Sequence, residues 1–304
     1  MNRRDFLRAG AVAPAVLWAG AKSLPPGNTD GSRNFEITTS VEVLEHAGRT
    51  RVWLPTPLVD TPYQHTLGDT YRADAGFVEM IERPADALDM LVAEWPDRVA
   101  PILTVTSRVS TRDYTVNLDR PTVPPPDLAT LAPFLRGSRL APIDGAVKDT
   151  ADRVTRGAGT DLERARAIYE WVAAERPSRD PDPNGQFVAL ARAAGVPARS
   201  VYGLRVGEPD ATRAQHARAE VYLVGFGWVP VETAGEGAAR RFGSWEMNWI
   251  AFNYAHDFTL PGARRGPIRH FMYPQAETAN GRIDSLVPDA FRYEITARES
   301  GSSG

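Results

Sequence analysis

Phe187-Val188-Ala189-Leu190-Ala191-Arg192-Ala193-Ala194-Gly195-Val196-Pro197-Ala198-Arg199-Ser200-Val201-Tyr202-Gly203 changes its hydrophobic period once, and that change decides the fold. Phe187, Leu190, Ala191 and Ala194 stand at i, i+3, i+4 and i+7, the spacing that gathers apolar side chains on one helix face. Gly195 and Pro197 end the helix, because glycine accepts the left-handed backbone of a helix C-terminus and proline cannot continue one. Ala198 to Val206 then reads as a strand. Two more follow, Ala217 to Val224 and Trp228 to Val231, joined by a tight turn at Gly225-Phe226-Gly227. A helix with small alanines that permit close packing, laid on an antiparallel sheet, makes an α+β domain.

Upstream, Thr160-Asp161-Leu162-Glu163 is a capping box. It starts a helix with Leu162, Ala165, Ile168, Tyr169 and Val172 on one face. Helical signals also cover Asp127 to Leu135 and Ile143 to Thr155. Three prolines and two aspartates between Arg176 and Pro183 demand a turn or loop, and a new helix begins near Asn184.

The N-terminal part has a different texture. Phe35 to Val43 alternates apolar and polar residues, and short β-branched runs follow at 50–55, 78–81, 90–93, 102–106 and 114–118. This predicts a β-rich, sandwich-like domain over 35–120. Pro121-Thr122-Val123-Pro124-Pro125-Pro126 is a stiff linker, and residues 127–299 form the α+β domain. No repeat or heptad run is present.

Across 304 residues with a formal net charge of -3, the signs are interspersed, so no basic stripe offers itself to nucleic acid. The chain has no cysteine, which removes disulfides and thiol chemistry together. At the start, Arg3-Arg4-Asp5-Phe6-Leu7 precedes an apolar run from Ala9 that ends in Ala19-Gly20-Ala21 and is too short to span a bilayer. This layout resembles a cleavable twin-arginine export signal over 1–21, with a spacer over 22–34. It implies a periplasmic or extracellular protein with no transmembrane span in the mature chain. Residues 300–304 read as a flexible tail.

Residues 187–203, with Gln215-His216-Ala217-Arg218-Ala219-Glu220-Val221-Tyr222 and Gly227-Trp228-Val229-Pro230-Val231-Glu232, resemble bacterial exported transglutaminase-like domain proteins of the papain-like Cys-His-Asp superfamily. The resemblance implies a papain-like fold and acyl transfer or amide hydrolysis through a thioester. A thiol at a helix N-terminus ionises readily there, an adjacent His shares its proton, and a carboxylate orients the imidazole. Carried over, His216 takes the base position and Glu232 the orienting position, where family members usually have Asp. Trp228 is expected near the acid.

The nucleophile departs from the pattern. An ungapped alignment puts Asp180 at the Cys position, with Asp182 and Asn184 matching the family's Asp and Asn; a gapped one deletes the loop and its Cys altogether. Three functions stay open: an exported family member that is catalytically inactive, a non-catalytic peptide or cell-wall binding module using the inherited cleft, and a hydrolase with a substitute nucleophile such as Ser178 or Asp180. No cofactor is implied, and the expected partner is a peptide or protein.

His256-Asp257 and His270 lack metal-ligand spacing and read as structural, so the five histidines offer no metal site. Trp245, Trp249 and Phe252 recur at helical spacing. Such a stripe is core, with a wall of the cleft as the alternative.

Overall fold

In the computed structural model, the described residues are 31–58, 60–83, 88–139, 141–174, 182–234 and 241–300. The expected export signal (1–21), Asp180, Ser178 and the last residues of the tail (301–304) lie outside them. The first half is strands: β1 (Ser32–Val43), β2 (Thr50–Thr56), β3 (Gln64–Ala73), β4 (Phe77–Arg83), β5 (Leu88–Trp95) and β6 (Ile102–Arg112). In β1, alternating burial follows the alternating sequence. β1 begins inside the segment expected to be spacer. Strand β3 was not expected; nearly all of its residues are half-buried, so its sequence carries little contrast.

Helices follow: α1 (Leu128–Leu131), which passes into a 3-10 turn at Pro133, then α2 (Ala146–Val154), α3 (Asp161–Ala174) and α4 (Pro183–Ala193). The capping box is formed, since Thr160 Oγ1 accepts from Glu163 N at 3.2 Å and Glu163 Oε2 accepts from Thr160 N at 3.0 Å. Among the described residues no helix is long and apolar enough to cross a membrane. The rest is β7 (Ala198–Arg205), β8 (Gln215–Leu223), β9 (Gly227–Glu232), β10 (Trp249–Asn253), β11 (Gln275–Thr278), β12 (Gly281–Ile283) and β13 (Phe291–Ser300). Two short strands, His256–Phe258 and Ile268–His270, pair as a ribbon.

One ten-stranded sheet runs β9-β8-β7-β10-β5-β2-β11-β12, with Arg241–Phe242 outside β9 and β4 paired on β5. A five-stranded sheet has the order β13-β1-β6-β3, with Asp60–Thr61 at its edge. The two sheets sandwich Val41, Val52, Leu54, Leu91, Trp95, Leu103 and Phe291 at one end and Phe35, Val109, Leu204, Ile250 and Ile295 at the other. Helices α2 to α4 bury Ala165, Ile168, Phe187, Leu190 and Ala191 on Ala198, Ala219, Val221 and Val229. The molecule is thus α+β. Around residues 121–126 the chain passes from strands to helices, yet pairing crosses that point: β13 lies along β1, and β11 along β2.

The helical spacing of Trp245, Trp249 and Phe252 does not form a helix. Trp249 to Asn253 is a central strand between β7 and β5, buried at every position. A strand covered on both faces has a continuous apolar run, and the period-2 signal disappears.

Candidate active site

Helix α4 starts where Asp182 caps it, its Oδ1 accepting from Gly185 N at 2.8 Å, and Pro183 takes the first helical position. That places Asn184 in the first turn, buried against the sheet. Its Nδ2 donates to Ala217 O at 2.7 Å and to Glu232 Oε1 at 2.8 Å. Its Oδ1 accepts from Thr233 N and Thr233 Oγ1, both at 2.9 Å. Both amide protons and both lone pairs are therefore used, and α4 is tied to β8 and β9 at one point.

His216 begins β8 and Glu232 ends β9, and the hairpin brings them together: Nε2 lies 3.2 Å from Glu232 Oε2. The imidazole is 40% exposed while the carboxylate is 4% exposed, so the acid is fixed from below and the ring faces outward. With Nε2 engaged by the carboxylate, Nδ1 is the ring nitrogen left to face a reacting group. Glu232 Oε1 also accepts from Ala234 N at 2.9 Å. Burial alone would raise the Glu232 carboxyl; the hydrogen bond and charge of His216, with Arg218 and Asn184, outweigh it and hold the group below the usual glutamate range.

Beneath the pair sits Arg218, two residues beyond His216 on the same strand and so on the same face. Its Nε is 3.0 Å from Glu232 Oε2 and its Nη2 donates to Glu246 Oε2 at 2.8 Å, with a side chain only 1% exposed. Rings of Trp245 and Trp249 flank the guanidinium at 5.2 and 5.0 Å. These tryptophans therefore support the acid from the core and do not wall an open cleft; both are almost wholly buried. Arg241 extends the network to Glu246 at 2.9 Å.

Trp228 is not near the acid, contrary to expectation. It pairs with Tyr222 at the other end of β9, roughly 13 Å along the strand from Glu232. Its ring lies under Arg199, 3.9 Å from the guanidinium, and edge-on to Phe134 and Tyr222. Arg199 there neutralises the buried Glu220, which also accepts from Tyr63 OH at 2.9 Å. His256 and His270 face each other across the ribbon, and His256 Nδ1 is 2.9 Å from Tyr202 OH.

Of the residues singled out from the sequence, the structure brings His216, Glu232 and Asn184 together; the sequence reading gave no part to Arg218 or Glu246. The period-2 placement of Arg218 behind His216 was the available signal; Glu246 comes from a distant loop and left none.

Residues 182–233, from the α4 cap to the end of the Asn184 network, match the family model of the transglutaminase-like superfamily. An uncharacterized protein of Haemophilus influenzae is 27% identical, with 95% of this chain and 99% of the relative aligned. That alignment runs over 367 positions, more than the 304 residues of this chain, so the relative carries segments with no counterpart here. A candidate cysteine protease from Cytophaga hutchinsonii shares the fold at a TM-score of 0.54 and 14% identity, with 89% of each chain covered. The periplasmic domain of TgpA from Pseudomonas aeruginosa matches at a TM-score of 0.36 and 13% identity, over 67% of this chain and 88% of that one. Residues 182–233 thus match a transglutaminase-like domain, within a chain that has an α+β fold of the papain-like kind and contains no cysteine.

Proposed function

We propose that this is an exported transglutaminase-like protein whose catalytic scaffold persists without thiol chemistry, and which is inactive in the acyl transfer and amide hydrolysis of its family. The observation that carries this is the 3.2 Å contact of His216 with Glu232 beside the α4 N-terminus, in a chain without cysteine. A base held in one tautomer by a carboxylate has work only if a nucleophile stands beside it. Asp180, at the ungapped Cys position, is a weak nucleophile toward amides. Export rests on the Arg3-Arg4 signal over residues 1–21, which directs the protein outside the cytoplasmic membrane.

The test is turnover of peptide amides, with and without an amine acceptor. The purified protein is expected to match buffer, and His216→Ala to match the wild type. Turnover abolished by His216→Ala would overturn inactivity and favour a hydrolase with Ser178 or Asp180 as nucleophile.

A second reading has its own support. A cavity of about 350 Å3 opens beside the α4 start, with Asp182, Gln186, Ser200 and His256 as polar groups and Trp171 and Val188 as apolar ones. Apolar walls with a few converging polar groups suit a bound ligand, and this favours a peptide or cell-wall binding module that uses this cavity at the α4 start, which His216 and Glu232 do not line. Saturable peptide binding that survives His216→Ala but not Gln186→Trp, which fills the cavity, supports it.

A further inference from the structure

Away from the His216 site, one corner of the large sheet concentrates positive charge. Across β5, β2, β11 and β12 the register sets Glu94 opposite Arg51, Arg51 opposite Glu277, and Glu277 opposite Arg282, a row of alternating sign. Those charges are mutually satisfied: Arg51 pairs with Glu94, and Arg282 Nη2 lies 3.1 Å from Glu277 Oε1. The loop after β10 lies on this row and is held there. Arg51 Nη1 donates to Gly262 O at 2.6 Å and Trp53 Nε1 to Pro261 O at 3.0 Å, while Glu277 accepts from the backbone of Arg264 and Arg265 at 2.8 and 3.2 Å. Gly262, at φ +68, leaves no room for a Cβ, which would meet Arg51 Nη1 at 1.9 Å.

This arrangement brings in three more guanidiniums and no further carboxylate. Arg49 reaches only Glu94, at 3.3 Å, an acid already held more closely by Arg51, and its side chain is 77% exposed. Arg264 donates its side chain to Thr278 O, and among the described residues the Arg265 guanidinium pairs with no acid. Five arginines thus meet two glutamates on a protein whose formal net charge is -3. Three of the five, Arg49, Arg51 and Arg264, line a cavity of about 220 Å3 together with Trp53 and Glu277, and Arg265 and Arg282 stand outside its lining.

We propose that this corner binds a phosphate-bearing ligand. Planar guanidinium donors suit tetrahedral oxyanions, and a local excess of three positive charges favours a multiply charged phosphate over a single carboxylate. The pinned loop sets Arg264 and Arg265 in place before the ligand arrives. The phosphate belongs either to a soluble ester or to a lipid headgroup.

Pyrophosphate titrated into the intact protein by calorimetry, and co-sedimentation with phosphatidylglycerol or phosphatidylcholine vesicles, test the site and its source. Saturable pyrophosphate binding, weakened about tenfold or more by the double substitution Arg49→Ala, Arg265→Ala and unchanged by Arg139→Ala, is expected. Sedimentation with phosphatidylglycerol alone, lost in the same double variant, assigns the headgroup; pyrophosphate binding without sedimentation assigns a soluble ester. If the double variant melts early, the single Arg49→Ala variant carries the comparison. Failure of both probes to bind, or equal binding by wild type and variant, overturns the proposal, and neither result bears on the His216 site.

Discussion

Asn184 in the first turn of α4 donates a 2.8 Å hydrogen bond to the carboxylate of Glu232 at the end of β9, joining the helix to the hairpin that carries His216. The side chain is 1% exposed and satisfies four partners at once. It acts as the rivet between the helical layer and the sheet.

Removing that rivet is expected to be costly. Asn184→Ala removes four hydrogen bonds at once; Glu232 Oε1 keeps Ala234 N, but the buried groups on Ala217 and Thr233 lose the amide, each worth about 1–3 kcal/mol when unsatisfied. We expect a loss of about 3 kcal/mol or more, read as a lower urea midpoint at unchanged slope. A loss under ~1 kcal/mol would mean that water replaces the amide.

Glu232 sets an acid limit on stability. Its folded-state carboxyl sits below the unfolded value because His216, Arg218 and Asn184 outweigh burial. The stabilisation is therefore complete above the unfolded glutamate pKa, about 4.3, and is lost as pH falls through the lower folded value. Glu232→Gln should be less stable than wild type near neutrality and should show a shallower decline below about pH 4.3. Parallel curves for the two proteins in acid would contradict this.

Arg218 is the counter-ion for two carboxylates. Arg218→Met keeps bulk between Trp245 and Trp249 but leaves Glu232 and Glu246 facing each other without the charge that separates them. Breaking a buried pair in this way costs about 3–5 kcal/mol. Thermal melting should show the loss, and adding Glu246→Gln should recover part of it, since the two sites share a partner.

Export should depend on the paired arginines. With Arg3→Lys and Arg4→Lys together, the protein is expected to stay with the cytoplasmic fraction and keep its N-terminus. The wild type is expected outside the membrane, starting near residue 22. Equal fractionation of the two would exclude the twin-arginine route.

The phrase from Phe187 to Gly203 carried its own structure because helix period, glycine stop and strand run are local properties, and α4 and β7 formed within a residue or two of the expected limits. His216 and Glu232 were legible for the same reason: a hairpin with a short turn brings its two ends together whatever surrounds it. Trp249 to Phe252 misled because burial on both faces removes the alternation that marks a strand. Arg218 was hidden because its partner Glu246 lies 28 residues away on a different loop.

What the amino-acid sequence determined alone was the helix and hairpin of the site, the placing of His216 and Glu232 at the hairpin's ends, and the lack of any thiol, since these depend on residue identity and short-range geometry. Only the tertiary structure decided that one ten-stranded sheet runs through both halves, that the tryptophans support a buried arginine, and that five arginines gather around Glu94 and Glu277 at one corner. Those outcomes depend on pairing between residues tens to hundreds of positions apart, which hydrophobic period cannot record.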